Sequence, residues 1–293
     1  MPHSLDGAGA SSPVEPDVSP FGLSWRRLAR VVALAVIIGI GIFNLYQAAL
    51  HWTLSDAAAY WNAGMRLRDG APLYPALSNV DASEVYRYAP WFAWLTVPVT
   101  FLPAQVAGAL WSAVLLAGSC LAVTPAIRAR AWLLVAFFLP ILVGISAVGN
   151  VHALLIAWLV HGVGRRSGPL WIALAASLKI FPLLLATVYV GRRQWGRLVM
   201  AIALTALLWT PAVAVGLHDY PVEAGKAASL IAIPALWVVV LGAAVLAALR
   251  LARGRFGWLA ASTSVVLAVP RLFVYDVTYL LVGAVSTDRP SDQ

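Results

Sequence analysis

The chain has 293 residues and a formal net charge of +8, yet only 11% of its residues are charged while 61% are hydrophobic. Windows 31–50, 88–127, 131–164 and 227–249 carry no charge, more apolar sequence than a water-soluble core uses, so the composition specifies a polytopic membrane protein. It excludes a nucleic-acid reading of the positive charge, because no basic-aromatic patch is present and arginine has a topological use in membrane proteins.

Residues 1–24 are rich in Pro, Ser, Gly and Ala, too poor in apolar surface to repay ordering, and are predicted to be a disordered cytoplasmic tail. The first apolar run follows Arg26, Arg27 and Arg30 and ends without a small-residue cleavage pattern, which predicts an uncleaved signal-anchor helix. Further basic clusters fall at Arg128/Arg130, Arg165/Arg166, Arg192/Arg193/Arg197 and Arg250/Arg253/Arg255. The positive-inside rule puts each in the cytoplasm, so the chain crosses twice between consecutive clusters. This predicts ten spans near 29–50, 104–125, 131–148, 151–164, 168–178, 181–191, 198–216, 228–249, 256–269 and 273–286, with both termini cytoplasmic and a plasma-membrane location. The outer turns fall near Ser55–Tyr88, Gly149–His152, Lys179, His218–Lys226 and Pro270–Asp276.

Several of these spans are short. Eleven helical residues such as 168–178 rise about 16 Å against about 30 Å of hydrocarbon, and short helices persist only where they line a cavity or are buried in protein. The expected fold is therefore all-α, a polytopic transmembrane helical bundle with a cavity open to the outer side. Residues 25–287 form one transmembrane unit, with 51–103 as an outer loop and 288–293 as a second cytoplasmic tail. The segment "APWFAWLTVPVTFLP", 89–103, carries three prolines and is predicted to lie in the interface, with Trp91 and Trp94 at headgroup level. Cys120 is the one cysteine. It excludes intrachain disulfides and cysteine metal clusters and is expected to be a small buried hydrophobe. No fixed-period repeat and no Walker-type glycine loop appear in the sequence, so an ATP-driven pump lacks its signature.

The outer loop opens with "LSDAAAYWNAG", 54–64. Ser55 is positioned to cap a helix running to Asp69, with Gly70 at its end and Pro72 beyond. Asp56, Tyr60, Gly64 and Leu67 then share one face. Asp56 is open to two readings, a first-turn acid favoured by the helix dipole or a functional carboxylate. Lys179 interrupts a stretch, 167–191, that is otherwise uncharged, and an intramembrane ionisable residue is a functional candidate by default.

Asp56 after the first span, "YWNAGMRLRDGAPLYP", "YRYAPWFAWLTVPVTFLP", "AVGNVHALLIAWL", "ASLKIFPLLL" and "AVPRLFVYDVTYLLV" occur in that order over residues 50–285. In this order and content the chain resembles glycosyltransferase family 87, the polyprenyl-phosphate-mannose-dependent enzymes of the GT-C class. Where that family commonly has a Gly-Gln-x-Asn segment, this chain has Gly149-Asn150-Val151-His152. The resemblance implies transfer of a hexose, mannose, from a polyprenyl-phosphate donor to a cell-envelope glycolipid or glycan on the outer side, with inversion at the sugar. Such chemistry needs a carboxylate to take the acceptor hydroxyl's proton and cations to hold the departing phosphate.

Asp56 is the candidate base, and Lys179, Arg271 and Arg87 are the candidate phosphate ligands. Tyr60, Tyr88, Asn150, His152, Tyr275 and Asp276 are the candidate substrate contacts. Bland roles stand beside these: headgroup snorkelling or structural pairing for Arg87 and Arg271, neutralisation of Arg271 for Asp276, and structural hydrogen bonding for His152 and Asn150. No Asp-x-Asp pair or histidine-carboxylate spacing suggests a divalent ion, so neither metal nor other cofactor is expected. The partners expected are the lipid-linked sugar, the acceptor and the bilayer, and no nucleic acid. Two other readings are a secondary transporter or lipid-handling protein using Lys179 and Asp276 as a relay, and an inactive family member that acts by binding.

Overall fold

The computed structural model describes residues 25–75, 85–221 and 230–286. The two predicted tails, part of the outer loop and Lys226 lie outside the described residues. Every regular element among them is helical. In chain order these are α1 (Trp25–Leu50), α2 (Ser55–Arg68), α3 (Pro90–Thr96), α4 (Ala104–Arg128), α5 (Trp132–Ala147), α6 (His152–Gly162), α7 (Gly168–Leu178), α8 (Thr187–Gly191), α9 (Trp195–Trp209), α10 (Ala212–Val215), α11 (Pro234–Leu251), α12 (Gly257–Ala268) and α13 (Tyr279–Val285).

The ten predicted spans coincide with ten apolar helical segments, and their departures from regularity have local causes. Pro182 sits at the start of a 3-10 stretch, Phe181–Ala186, which precedes α8. Pro211 separates α9 from α10, since proline cannot donate to the preceding turn. Val274–Thr278 is a 3-10 turn leading into α13. Among the described residues four segments, α1, α4, α9 continued through α10, and α11, are long and apolar enough to cross a membrane. Their apolar windows are 6%, 33%, 17% and 6% buried inside the protein, so they present most of their surface outward. The shorter α6 and α7 are instead packed among buried Leu, Ile, Val and Ala. That division follows from hydrogen bonding at hydrocarbon depth, where a short or interrupted helix must be enclosed by protein and a long one can face lipid.

Successive short turns place the arginines of the 165–166, 192–197 and 250–255 clusters together at one end of the bundle. Arg192 donates through Nε to the Ala252 carbonyl at 2.7 Å, and Arg197 donates through Nη2 to the Arg165 carbonyl at 2.6 Å. The opposite end holds the α1–α2, α5–α6, α7–α8 and α12–α13 connections, and here the ionisable candidates gather.

Three expectations are corrected. Ser55 does not cap α2; Leu54 occupies the cap with φ 51°, and no side chain bonds to the first turn. The helix start is instead anchored by backbone. Leu54 N–H donates to the Ala147 carbonyl at 3.1 Å and Asp56 N–H to the Val148 carbonyl at 2.7 Å, so the free amides at one helix start meet the free carbonyls at another helix end. Trp91 is not a headgroup anchor: it donates its indole N–H to Ser177 Oγ at 3.0 Å, while Trp94 is 53% exposed. Cys120 is exposed although its neighbour Ser119 is fully buried, because adjacent helical residues point about 100° apart.

The α5–α6 turn depends on Gly149. Its φ is +82°, and a Cβ there would lie 2.7 Å from Ala57 Cβ and 2.9 Å from Ala57 N. Gly149→Ala is expected to destabilise the protein by about 1–3 kcal/mol through backbone strain, with further cost from the contact with α2. Thermal unfolding of the purified protein in detergent checks this. An unchanged midpoint would show that α2 is not seated on this turn.

Candidate functional site

The N-terminus of α2 and the α5–α6 turn together position one partly buried carboxylate. Asn150, 4% exposed, donates its Nδ2 to Asp56 Oδ2 at 2.6 Å and accepts the His152 N–H on Oδ1 at 2.9 Å. The turn thus clamps its own side chain while that side chain clamps Asp56. Tyr60, one turn further along α2, accepts the Val151 N–H on its hydroxyl at 3.1 Å and donates to the Tyr88 hydroxyl, also at 3.1 Å. Burial pushes both phenols upward, so they stay neutral near pH 7.

The loop before α3 is held by other tyrosines. Tyr74 donates to the Tyr88 carbonyl at 2.8 Å and Tyr220 to the Arg87 carbonyl at 2.9 Å. Arg87 is partly buried, and its charge is within electrostatic reach of Asp56.

Lys179 stands at the C-terminal end of α7, where the backbone turns extended. Its Nζ lies 4.7 Å from the Tyr275 ring centroid, in cation–π range, and its charge reaches both Asp276 and Asp56. Asp276, 2% exposed, accepts the Phe273 N–H on Oδ2 at 2.9 Å, which closes the turn carrying Tyr275. Arg271 lies over the Phe273 ring at 5.1 Å, and Phe273 stacks on Tyr275 at 5.2 Å. Asp276 therefore has a helix-start role that its pairing with Arg271 in the sequence did not suggest.

His152 is fully buried between Tyr275 and Tyr279, with ring centroids 4.9 and 5.0 Å away. Its Nε2 is 2.9 Å from Thr278 Oγ1, and that hydroxyl donates to the Tyr275 carbonyl at 2.6 Å. The threonine proton is thereby committed, so Nε2 carries the imidazole proton and Nδ1 is the bare nitrogen. Nδ1 has no hydrogen-bond partner among the described residues.

All ten sequence candidates thus lie at one end of the bundle, linked through Asn150, Tyr60 and Tyr275. Sequence reasoning missed Thr278, Ser177, Gly149 and Trp111; the last donates its indole N–H to the Gly149 carbonyl at 2.8 Å. Only the glycine beside Asn150 carried a visible signal, as a residue able to take positive φ. No three His, Cys, Asp or Glu side chains among the described residues form a set able to hold a metal ion.

The family model of glycosyltransferase family 87 matches residues 86–224. Those residues belong to that family. The match covers 139 of the 293 residues and likens that stretch to a glycosyltransferase, a class that acts on a sugar donor and an acceptor. The matched stretch includes Arg87, Tyr88, Asn150, His152 and Lys179, and it begins after Asp56 and ends before Arg271. No curated protein and no solved structure matches the chain.

Burial raises the Asp56 carboxyl above its ordinary value of 3.8, opposed by the Asn150 hydrogen bond and by the charges of Lys179 and Arg87. Removing a hydrogen bond to the ionised form disfavours ionisation, so Asn150→Ala is expected to move the Asp56 midpoint to still higher pH. Infrared difference titration of the protonated carboxyl band, referenced to Asp56→Asn, checks both statements. A midpoint at 3.8, or a downward move in Asn150→Ala, would contradict this geometry.

Proposed function

We propose that the protein transfers a hexose, mannose, from a polyprenyl-phosphate donor to a hydroxyl of a cell-envelope glycolipid or glycan, with inversion at the anomeric carbon. The observation that carries this reading is the Asp56 carboxylate, oriented by Asn150 within electrostatic reach of Lys179, on a chain whose central 86–224 stretch is family 87.

In the proposed step the acceptor oxygen attacks the anomeric carbon as its proton passes to Asp56. The new glycosidic C–O bond forms, the bond from anomeric carbon to phosphate oxygen breaks, and polyprenyl phosphate leaves with the electron pair. Asp56 acts as general base. Lys179 and Arg271, with Arg87 nearer the carboxylate, offset the charge gathering on the leaving phosphate. Tyr60, Tyr88, Tyr275, His152 and Asp276 shape the sugar-binding space, with Asp276 holding the Tyr275 turn. The basic turns lie in the cytoplasm of a plasma-membrane protein with both termini inside, which puts the site on the outer face; the charge asymmetry supports this orientation. The transporter reading uses the same Lys179 and Asp276, but nothing in the geometry favours a relay over phosphate binding.

Transfer of radiolabelled mannose from its polyprenyl-phosphate ester, in membranes containing the protein, tests the reading. Asp56→Asn keeps the shape of the side chain and removes the base, and is expected to lower the rate by about 10²–10⁴ with little change in melting temperature. Turnover within a few-fold of the parent would remove Asp56 from the reaction. Lys179→Met keeps the apolar stem and removes the charge, and should weaken donor use by about 1.5–3 kcal/mol, the range for a hydrogen bond to a charged group. Normal donor use by that variant would make Lys179 structural.

A further inference from the structure

A cavity lies beside this site and is used by none of the chemistry above. It has a volume of about 530 Å³, within the roughly 300–1,000 Å³ typical of ligand pockets. Its walls are the start of α2, α3 with the 3-10 stretch Val97–Phe101 that follows, and the first half of α4. Among the described residues that line it, none is charged. Among its lining residues Leu95, Leu110 and Val114 are 62%, 53% and 45% exposed. Since α4 is long and apolar enough to cross a membrane, these exposed apolar side chains are suited to face hydrocarbon.

The inner wall is an aromatic cluster. Tyr60 meets Phe92 and Trp111 edge-on, with centroids 5.1 and 5.7 Å away. Tyr60 serves both spaces, for its ring lines the groove while its hydroxyl holds the Val151 amide beside Asn150. Ala57 and Ala58, the two residues after Asp56, also line the groove.

Position decides what the groove holds. α3 divides it from the cationic side: Trp91 turns toward Ser177, two residues before Lys179, whereas Phe92 and Leu95 face the groove. In the transfer proposed above, which this inference rests on, the nucleophile arrives from the side of the base and the phosphate departs from the side of the cations. An uncharged, apolar groove next to the base suits an alkyl chain and offers nothing to a phosphate. We infer that this groove binds the hydrocarbon chain of a lipid-borne acceptor, whose headgroup reaches over the start of α2 to present its hydroxyl to Asp56. The acceptor is thus a glycolipid rather than a free glycan.

Photolabelling of the full-length protein in phosphatidylcholine nanodiscs tests this without requiring turnover. The probe is hexadecyl α-mannoside carrying a terminal diazirine, and labelled sites are mapped by mass spectrometry. Labels are expected within residues 54–61 and 92–114. They should be lost in excess unlabelled hexadecyl α-mannoside and retained in excess undecaprenyl phosphate. Filling the groove with Gly108→Phe should reduce labelling by about tenfold through lost apolar contact. Displacement by undecaprenyl phosphate would overturn the inference by making the groove the donor's. Labelling that neither competitor displaces would overturn it by making the groove a site of bulk lipid only. Because labelling is read apart from sugar transfer, failure of the groove and failure of the transferase reading give separate results.

Discussion

A carboxylate drawn partly out of water must be given hydrogen bonds and opposite charge, and Asp56 receives both from segments remote in sequence. The Asn150 amide at 2.6 Å supplies the first, and Lys179 and Arg87 the second. Much of this end of the bundle is shaped by that requirement. Gly149 must take positive φ to bring the turn against Ala57, and Trp111 must hold the Gly149 carbonyl. The backbone of α2 must hang on the last carbonyls of α5. The cost of burying the charge, otherwise several kcal/mol, is offset by groups that are themselves satisfied. Asn150, for instance, is fixed by the His152 amide as well as by Asp56.

The same logic divides the helices. Long apolar helices form the periphery, while α6 and α7, too short to cross hydrocarbon unaided, are enclosed by other helices. Enclosure lets their ends stop short, and the space beyond those ends can then hold Asn150, His152 and Lys179. A fully spanning helix at either position would fill that space with its own side chains. Short helices and a buried polar site are therefore two aspects of one arrangement.

Much of the fold was legible because hydropathy and arginine spacing are strong, local signals, and the turns at 129–131, 163–167 and 192–194 sit where those signals placed them. Rotation about a helix axis was less legible. In an almost uniformly apolar helix such as α4 no polar stripe distinguishes inside from outside, so Cys120 was expected inward and lies outward. The same weakness hid the inward turn of Trp91 toward Ser177. Candidate site residues stood out as rare polar groups in apolar surroundings, but their pairings did not. Asn150 and Asp56 are 94 residues apart, and His152 and Thr278 are 126 apart; no spacing rule links them. The local rule applied to Ser55 failed because backbone carbonyls of α5 had already taken the place of a side-chain cap.

In the proposed transfer Asp56 is the base, Lys179 and Arg271 hold the phosphate, and the sugar lies between them. An experimental structure with a non-transferable donor, a polyprenyl C-phosphonate of mannose, measures this most directly. The account predicts phosphonate oxygens within hydrogen-bond reach of Lys179 Nζ and the anomeric carbon between that group and Asp56. A phosphonate seated at the arginine turns of the opposite end, or an anomeric carbon facing away from Asp56, would contradict it.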